Sequence, residues 1–515
     1  MPDYTVDADQ QSGNGVSTRN TLLLVFMVIV PLAVQLATPM FGDLRTTYAY
    51  AFMADRFGTF PENLSKPFLM RGIGFKCLYY GLYKTAGLAV ESRSPFAFEL
   101  VTRLMYYTGY MLLSVWFFWL LRRRIAAFGI GWLEAMLVFL VGVLATSHHV
   151  HQQPEELAVL LAVGLTAFSL SDNRTLNCLS GLFLPLMLSC KVVTIWPAIF
   201  PFLMVLATRE RGRILRVGTS WAGFTAAMAL FYIFVFPQEI ADTRNAATNQ
   251  SGSWFDLREI HAFVYKGVWS MAHTPFYLMT VVCLLWLLWR GAERKQWKEW
   301  LLGLGAIAIA VPPVFIQSLH LCYHYLLFFP AAFLIALWAI RTIPDAGQRS
   351  RLWLAMGGAT FAGWIFFSIV PVQQDAYLWL WVKAAWHQNA TLQEMDRQFH
   401  LSEEPEMLFL SPGDVNYVIR TKGSSRYFAP VTLQRAHSNN ALRNTPLFRE
   451  MLADSLTYHG KYIYLSDWLP LDHLPELEAK LKTEYEPATE KIPQFYPLPD
   501  VQLFKRRSPP IGTAK

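Results

Sequence analysis

Apolar residues along the first 370 positions come in runs that alternate with short polar or basic stretches. The runs lie near 21–40, 101–121, 126–146, 157–171, 176–190, 192–208, 214–236, 267–289, 299–316, 325–340 and 352–371. Roughly twenty apolar residues in a helix cross about 30 Å of hydrocarbon. The pattern therefore predicts a polytopic α-helical membrane protein of about eleven spans, within a range of roughly 10–13. The fourth to sixth runs are short and crowded. The first run does not read as a cleavable leader, because no basic segment precedes it and no small-residue cleavage site is obvious.

After residue 372 the pattern changes. Residues 374–400 are amphipathic, with an aromatic start, and read as a helix. Met407–Leu410 reads as a short apolar strand ended by the turn Ser411-Pro412-Gly413-Asp414, and Tyr427–Val431 and Tyr462–Leu465 as further strands. The expected organisation is a disordered cytoplasmic tail over 1–19 and a transmembrane domain over 20–372, with a long first extracytoplasmic loop at 41–99. An extracytoplasmic α/β domain follows over 373–515.

Composition sharpens this picture. Hydrophobic residues make up 54% of the chain and charged residues 16%, against roughly 25% charged in ordinary soluble domains. The five cysteines form no CxxC pair and mostly sit in apolar stretches, which argues against a disulfide framework or a zinc ribbon. The net charge of +7 is not spread over a soluble basic face, so nucleic acid is not an expected partner. The basic residues instead flank apolar runs. Placing the N-terminus in the cytoplasm puts Arg122, Arg123 and Arg124 inside, with Arg209, Arg211, Arg213 and Arg216. Arg290, Arg294, Lys295, Lys298, Arg341, Arg349 and Arg351 follow on the same side. The opposing loops 147–156 and 317–324 hold no Lys or Arg. The expected location is the plasma or inner membrane, multi-pass, with the C-terminal region outside the cytoplasm.

Candidate chemistry collects on that outer side. Asp43 directly follows the first span, beside Gly42, and suits a general base or an interfacial helix-capping acid. Lys66 and Arg71 lie in the same loop, with Arg45 near its start. Two cations at a water–lipid boundary suit either a phosphate clamp or headgroup contacts. The loop Ser147-His148-His149-Val150-His151-Gln152-Gln153-Pro154-Glu155-Glu156 offers three His and two carboxylates. His148, His149, His151 and Glu155 are thus a candidate divalent-metal set, although the spacing matches no tight ligand motif. Glu155 and Glu156 also suit the first turn after Pro154, where negative charge meets the helix dipole. Lys191 sits inside an apolar run, where a charge costs roughly 2.5–3.5 kcal/mol and needs a partner or a wet cavity. His320, Tyr323 and His324 stand at a span entrance, where aromatic anchoring competes with substrate contact.

These pieces, in this order, resemble the glycosyltransferase C superfamily. The closest likeness is to the dolichyl-phosphate-mannose–protein mannosyltransferase and lipid A aminoarabinose transferase branch. Asp43 matches the family's acid after the first span, and Lys66-Pro67-Phe68-Leu69 its Lys-Pro segment. The stretch Glu91–Arg103 leads into the second span as there. Gln153-Pro154-Glu155-Glu156-Leu157 matches the proline and acid that open a later helix, with Glu in place of the more usual Asp. Gly181 through Lys191 matches the glycine-led helix ending in lysine, and Tyr323–Tyr325 the Tyr-rich span opening. The likeness covers roughly 20–340. Two positions depart from it: Leu44 replaces a second acid beside Asp43, which weakens a metal there, and Phe68 replaces a second proline.

The resemblance implies a sugar donor linked to a polyprenyl phosphate and entering sideways from the bilayer. Asp43 would be the base, and Lys66, Arg71 and Lys191 would hold the donor phosphate as charge develops on it. Glu155, Glu156 and His151 would form a second acid, acceptor or metal site. Arg45, Arg103, His320, Tyr323 and His324 would line the substrate pocket. Direct displacement would invert the anomeric centre. A glycolipid, a polysaccharide or a protein side chain all fit as acceptor. Two other functions remain compatible with the residues: a transporter or flippase for a lipid-linked saccharide, and a non-catalytic glycan-assembly partner with the same fold.

Overall fold

The computed structural model describes residues 18–38, 42–56, 72–90, 95–147, 152–237, 275–293, 305, 308, 322–369, 378–411, 415–425, 430–437, 440–494 and 498–508. Every expected span except 299–316 meets a described helix; that one falls almost wholly outside the described residues.

The first helix, α1, runs Thr18–Ala37 and carries Pro31 in its interior, where the ring removes one backbone donor. Two helices then occupy what the sequence presents as a loop: α2 over Gly42–Arg56 and α3 over Ile73–Ala89. The α3 helix buries Ile73, Phe75, Lys76, Tyr79, Tyr83 and Ala86 on one stripe. Leu78 and Leu88 are exposed on it, the distribution of a helix lying at an apolar boundary. Helix α4 spans Pro95–Leu120 and turns through a short helix at Arg122–Ala126. The turn is closed by Gly129, whose φ of 74° suits a residue without Cβ. Helix α5 therefore begins only at Trp132, six residues later than the apolar run 126–146 suggests, and ends at Ser147. Helix α6 covers Pro154–Ser169, with Pro154 in its first turn, where a missing N–H costs nothing.

The region expected to hold two continuous spans, 176–190 and 192–208, is broken. A short helix at Arg174–Leu179 passes through a tight turn into α7, Phe183–Cys190. Lys191 is then extended, with φ −168° and ψ 143°, before a 3₁₀ stretch at Val192–Ala198 leads into α8, Ile199–Ala207. Helices α9 (Arg211–Val235), α10 (Pro275–Glu293), α11 (Phe329–Arg341) and α12 (Ala346–Ile369) complete the bundle. By length and hydropathy α1, α9 and α12 are each able to cross a membrane alone. Tight packing uses small residues: a Cβ on Gly142 would meet the Phe329 ring at 2.3 Å, and one on Gly164 the Phe183 ring at 2.5 Å.

The two ends of α6 differ in charge. Its C-terminal end leads to Asp172, which Arg124 approaches at 3.7 Å and Arg213 at 3.2 Å. Its N-terminal turn carries Glu155 and Glu156. At about 1.5 Å per residue, sixteen residues separate these ends by roughly 24 Å.

Helix α13, Leu378–Phe399, fulfils the amphipathic reading of 374–400 and leads into a four-stranded sheet of order β1-β2-β4-β3. The strand β1, Leu408–Leu410, is parallel to β2, Tyr462–Ser466, with Leu408 opposite Ile463. Four helices join the sheet: α14 (Val415–Ile419), α15 (Val431–Arg435), α16 (Pro446–Thr457) and α17 (Pro475–Glu484). The strand β3, Tyr485–Pro487, pairs antiparallel with β4, Val501–Arg506, and β4 with β2. Val431 opens a helix rather than closing a strand, and 426–429 lie outside the described residues.

Alternation splits the sheet's two faces. Leu408, Leu410, Ile463 and Leu465 pack with Phe448, Met451, Leu477 and Leu481. Phe409, Tyr462, Tyr464 and Leu503 join the same apolar cluster as the helical bundle. Being covered on both sides explains why β2 is buried at every position. The seam is aromatic: Tyr417 of α14 lies 6.3 Å from Tyr48 of α2 and 6.4 Å from Phe98 of α4, between ring centroids.

Candidate active site at the helix break

Two buried ionic clusters sit near the N-terminal ends of α2 and α6. The first is built on α2, α4 and α13. Arg45 donates from Nε and Nη2 to Glu99 Oε1, each at 3.1 Å, and from Nη1 to Gln388 Oε1 at 3.5 Å. Arg103, one helical turn after Glu99, approaches Glu99 Oε2 at 3.8 Å and donates to the Gln35 carbonyl at 2.6 Å. Tyr107 donates to Gln35 Oε1 at 2.7 Å, and the Gln35 amide donates to the Leu144 carbonyl at 3.3 Å. Arg45 and Arg103 are fully buried. The arrangement fixes α2 rigidly against α1, α4 and α13.

Asp43 stands in the first turn of α2, two residues before Arg45. The backbone N–H groups of that turn and the helix dipole favour a carboxylate there. The anchoring of Arg45 therefore locates the helix that carries the candidate base.

The second cluster lies at the break between α7 and the 3₁₀ stretch. Lys191 Nζ meets Glu155 Oε1 at 2.6 Å, with the lysine side chain 14% exposed and the glutamate fully buried. Non-helical backbone at membrane depth persists where protein or a polar cavity satisfies its groups. Here Thr194 helps: its hydroxyl donates to the Lys191 carbonyl at 2.5 Å. Glu155 Oε2 has no hydrogen-bond partner among the described residues. Glu156 turns the other way. Its Oε2 accepts from Ser147 Oγ and from the Gln152 backbone N–H, both at 2.9 Å. It thus ties the end of α5 to the entry of α6 and holds Gln152 at φ 58°.

Glycine brings the segment before α3 to the break. The Gly72 N–H donates to the Cys190 carbonyl at 2.8 Å. A Cβ on Gly72 would lie 2.1 Å from the Ser189 carbonyl oxygen, and one on Gly74 2.0 Å from Ser189 Oγ. The residue after Arg71 in sequence is therefore fastened to the residue before Lys191. Tyrosines connect the clusters. The Tyr48 ring meets Tyr79 at 5.2 Å, and Tyr79 stacks 6.3 Å from Tyr106. Tyr79 donates to the Gln152 carbonyl at 3.0 Å, and Tyr110 to that of Glu156 at 3.3 Å.

Of the residues singled out from sequence, Glu155 and Lys191 are brought into contact, and Arg45 and Arg103 into one network. Lys66, Arg71, His148, His149, His151 and His320 lie outside the described residues, as do the side chains of Asp43, Tyr323 and His324. Tyr323 and His324 fall in a 3₁₀ stretch, Cys322–Phe328, that leads into α11. Glu99 was not singled out, although its four-residue spacing from Arg103 on an apolar helix was a usable signal. The tyrosine series and Gln388 left no such trace. For the metal set of the 147–156 loop, one oxygen of Glu155 already faces an ammonium, and a dication on the same carboxylate would face that charge.

The fold has a solved counterpart. The crystal structure of ArnT from Cupriavidus metallidurans in the apo state matches 95% of this chain and 98% of its own, with a TM-score of 0.50 and 12% sequence identity. ArnT is a lipid A aminoarabinose transferase of the glycosyltransferase C superfamily. The likeness shows a shared fold. No protein-family profile and no curated protein matches the chain.

Proposed function

We propose that this chain, which has the glycosyltransferase C fold, moves a sugar from a polyprenyl-phosphate donor to an acceptor on the extracytoplasmic side of the membrane. One observation carries the reading: a lysine and a glutamate are paired at a helix break inside an apolar bundle, with the outer loop fastened beside them. A buried pair of this kind gains little stability over apolar residues. Its retention at a break is better explained by a ligand carrying charge.

In the proposed reaction Lys191, already oriented by Glu155, faces the donor phosphate, with Lys66 and Arg71 from the outer loop completing the clamp. Asp43 takes the proton of the acceptor hydroxyl or amine as that atom bonds to the anomeric carbon. The anomeric carbon–oxygen bond to the phosphate breaks, its electron pair leaves on the lipid phosphate, and the configuration inverts. A lipid-anchored donor arrives laterally, which fits a site at the membrane boundary. The basic ends of α4, α9, α11 and α12 fall on the cytoplasmic side in this orientation, and the sheet-bearing C-terminal region on the outer side. Glycolipid, polysaccharide and protein acceptors all fit.

Native mass spectrometry of the detergent-purified protein with added polyprenyl phosphate tests the donor assignment. Wild type is expected to retain one lipid phosphate and Lys191→Ala to lose most of it. Equal retention by both proteins would remove Lys191 from the clamp. A helix break at a charged residue also suits a carrier of lipid-linked saccharide. Transbilayer movement of the donor in vesicles without consumption of its glycosidic bond would favour that reading.

A further inference from the structure

Outside the candidate active site, the C-terminal region gathers three metal-ligating side chains from two segments. His437 follows α15, and Asp472 and His473 precede α17. Both imidazoles turn Nδ1 toward a single oxygen: His437 Nδ1 and His473 Nδ1 each lie 3.3 Å from Asp472 Oδ1. The three ligand atoms all fall within 4.8 Å of one another.

The state of His473 can be argued from its other nitrogen. His473 is buried, and its Nε2 lies 2.7 Å from the Leu433 carbonyl oxygen. A carbonyl only accepts, so Nε2 carries the hydrogen. In the neutral ring Nδ1 then presents a lone pair to the carboxylate oxygen. Two lone pairs at 3.3 Å repel unless a proton or a cation lies between them. One cation serves both histidines. A backbone carbonyl fixing the far N–H is also how proteins orient metal-binding histidines.

The spacing fits a small transition ion. With metal–ligand bonds of about 2.0–2.1 Å, neighbouring ligands of a tetrahedron stand about 3.3–3.4 Å apart. The two His–Asp separations have that length. The wider His437–His473 edge shortens by rotation of His437, which is exposed. Asp472 is exposed too, so the fourth position faces solvent.

We infer that His437, Asp472 and His473 form a divalent-cation site of the zinc class that pins the end of α15 to the start of α17. This site shares no residue with the candidate active site, and its proposal does not depend on the transferase reading.

The test uses full-length protein in detergent, chelator-treated, with any polyhistidine tag removed. Zinc chloride is titrated calorimetrically and the melting temperature is followed. Wild type is expected to bind with a component that His437→Ala and Asp472→Asn each weaken by roughly tenfold or more. The zinc-induced rise in melting temperature should vanish in the double variant. Both substituted residues are exposed, so the apo variants should melt with apo wild type. A zinc isotherm and melting shift in the double variant equal to those of wild type would overturn the assignment. So would the lack of any zinc binding by wild type, the outcome for a simple imidazolium–carboxylate pair.

Discussion

The ammonium of Lys191 and the carboxylate of Glu155 meet at 2.6 Å across a break in the helical bundle, thirty-six residues apart in sequence. Deleting one partner leaves the other charge buried alone, which costs about 3–5 kcal/mol. Glu155→Ala should therefore lower the melting temperature markedly. The neutral double substitution Glu155→Gln with Lys191→Met should recover most of that stability. It should not recover sugar transfer if Lys191 holds the donor phosphate. Thermal unfolding in detergent beside a donor-consumption assay reads both quantities.

Glu99 neutralises two guanidiniums, Arg45 and Arg103. Glu99→Gln removes that charge from a fully enclosed site, with an expected loss of about 3–5 kcal/mol. Glu99→Asp keeps the charge and should lose less. Comparison of melting temperatures checks the order. If Glu99→Gln melts with wild type, the network does not hold α2 in place.

Gly72 has no room for a side chain against the Ser189 backbone, whereas Gly74 faces the rotatable Ser189 hydroxyl. Gly72→Ala should push the start of α3 away from Cys190 and reduce transfer. Gly74→Ala should be milder in both stability and activity. A reversed order in initial-rate assays would detach the Gly72 contact from function.

Much of this arrangement was legible in the sequence, and the rest was not for identifiable reasons. Apolar run length located α1, α9 and α12, which are each long and apolar enough to cross a membrane. It also gave 176–190 and 192–208 as two continuous spans, since hydropathy averages over the turn at Ser180–Leu182 and the 3₁₀ stretch at Val192–Ala198 that break them. The stretch 41–99, expected as a loop, hid α2 and α3, whose helical stripes are interrupted by Tyr, Gly and Lys. Strand β2 stood out as a continuous apolar run, being covered on both faces. Strand β3, with only Tyr485 buried, and β4, ending Lys505-Arg506, did not. Lys191 was visible as a costly charge and Glu155 as a first-turn or second-site acid. Their pairing was not, because it depends on how α6 and α7 pack.

The orientation of the chain is open to direct labelling. Cysteine placed at Arg123, beside the basic end of α4, should react with a membrane-impermeant maleimide only after the cells are opened. Cysteine at the exposed Glu476 should react in intact spheroplasts. The opposite pattern would invert the topology and move the helix break to the cytoplasmic face.

The account rests most heavily on Asp43 as the base of a transfer from a polyprenyl phosphate. The direct measurement is release of free polyprenyl phosphate from a labelled polyprenyl-phosphate sugar, by wild type and by Asp43→Asn at equal folded concentration. Wild type should release lipid phosphate in step with the product. Asp43→Asn should release it about 10²–10⁴-fold more slowly with an unchanged melting temperature. Release at the wild-type rate by Asp43→Asn would contradict the assignment.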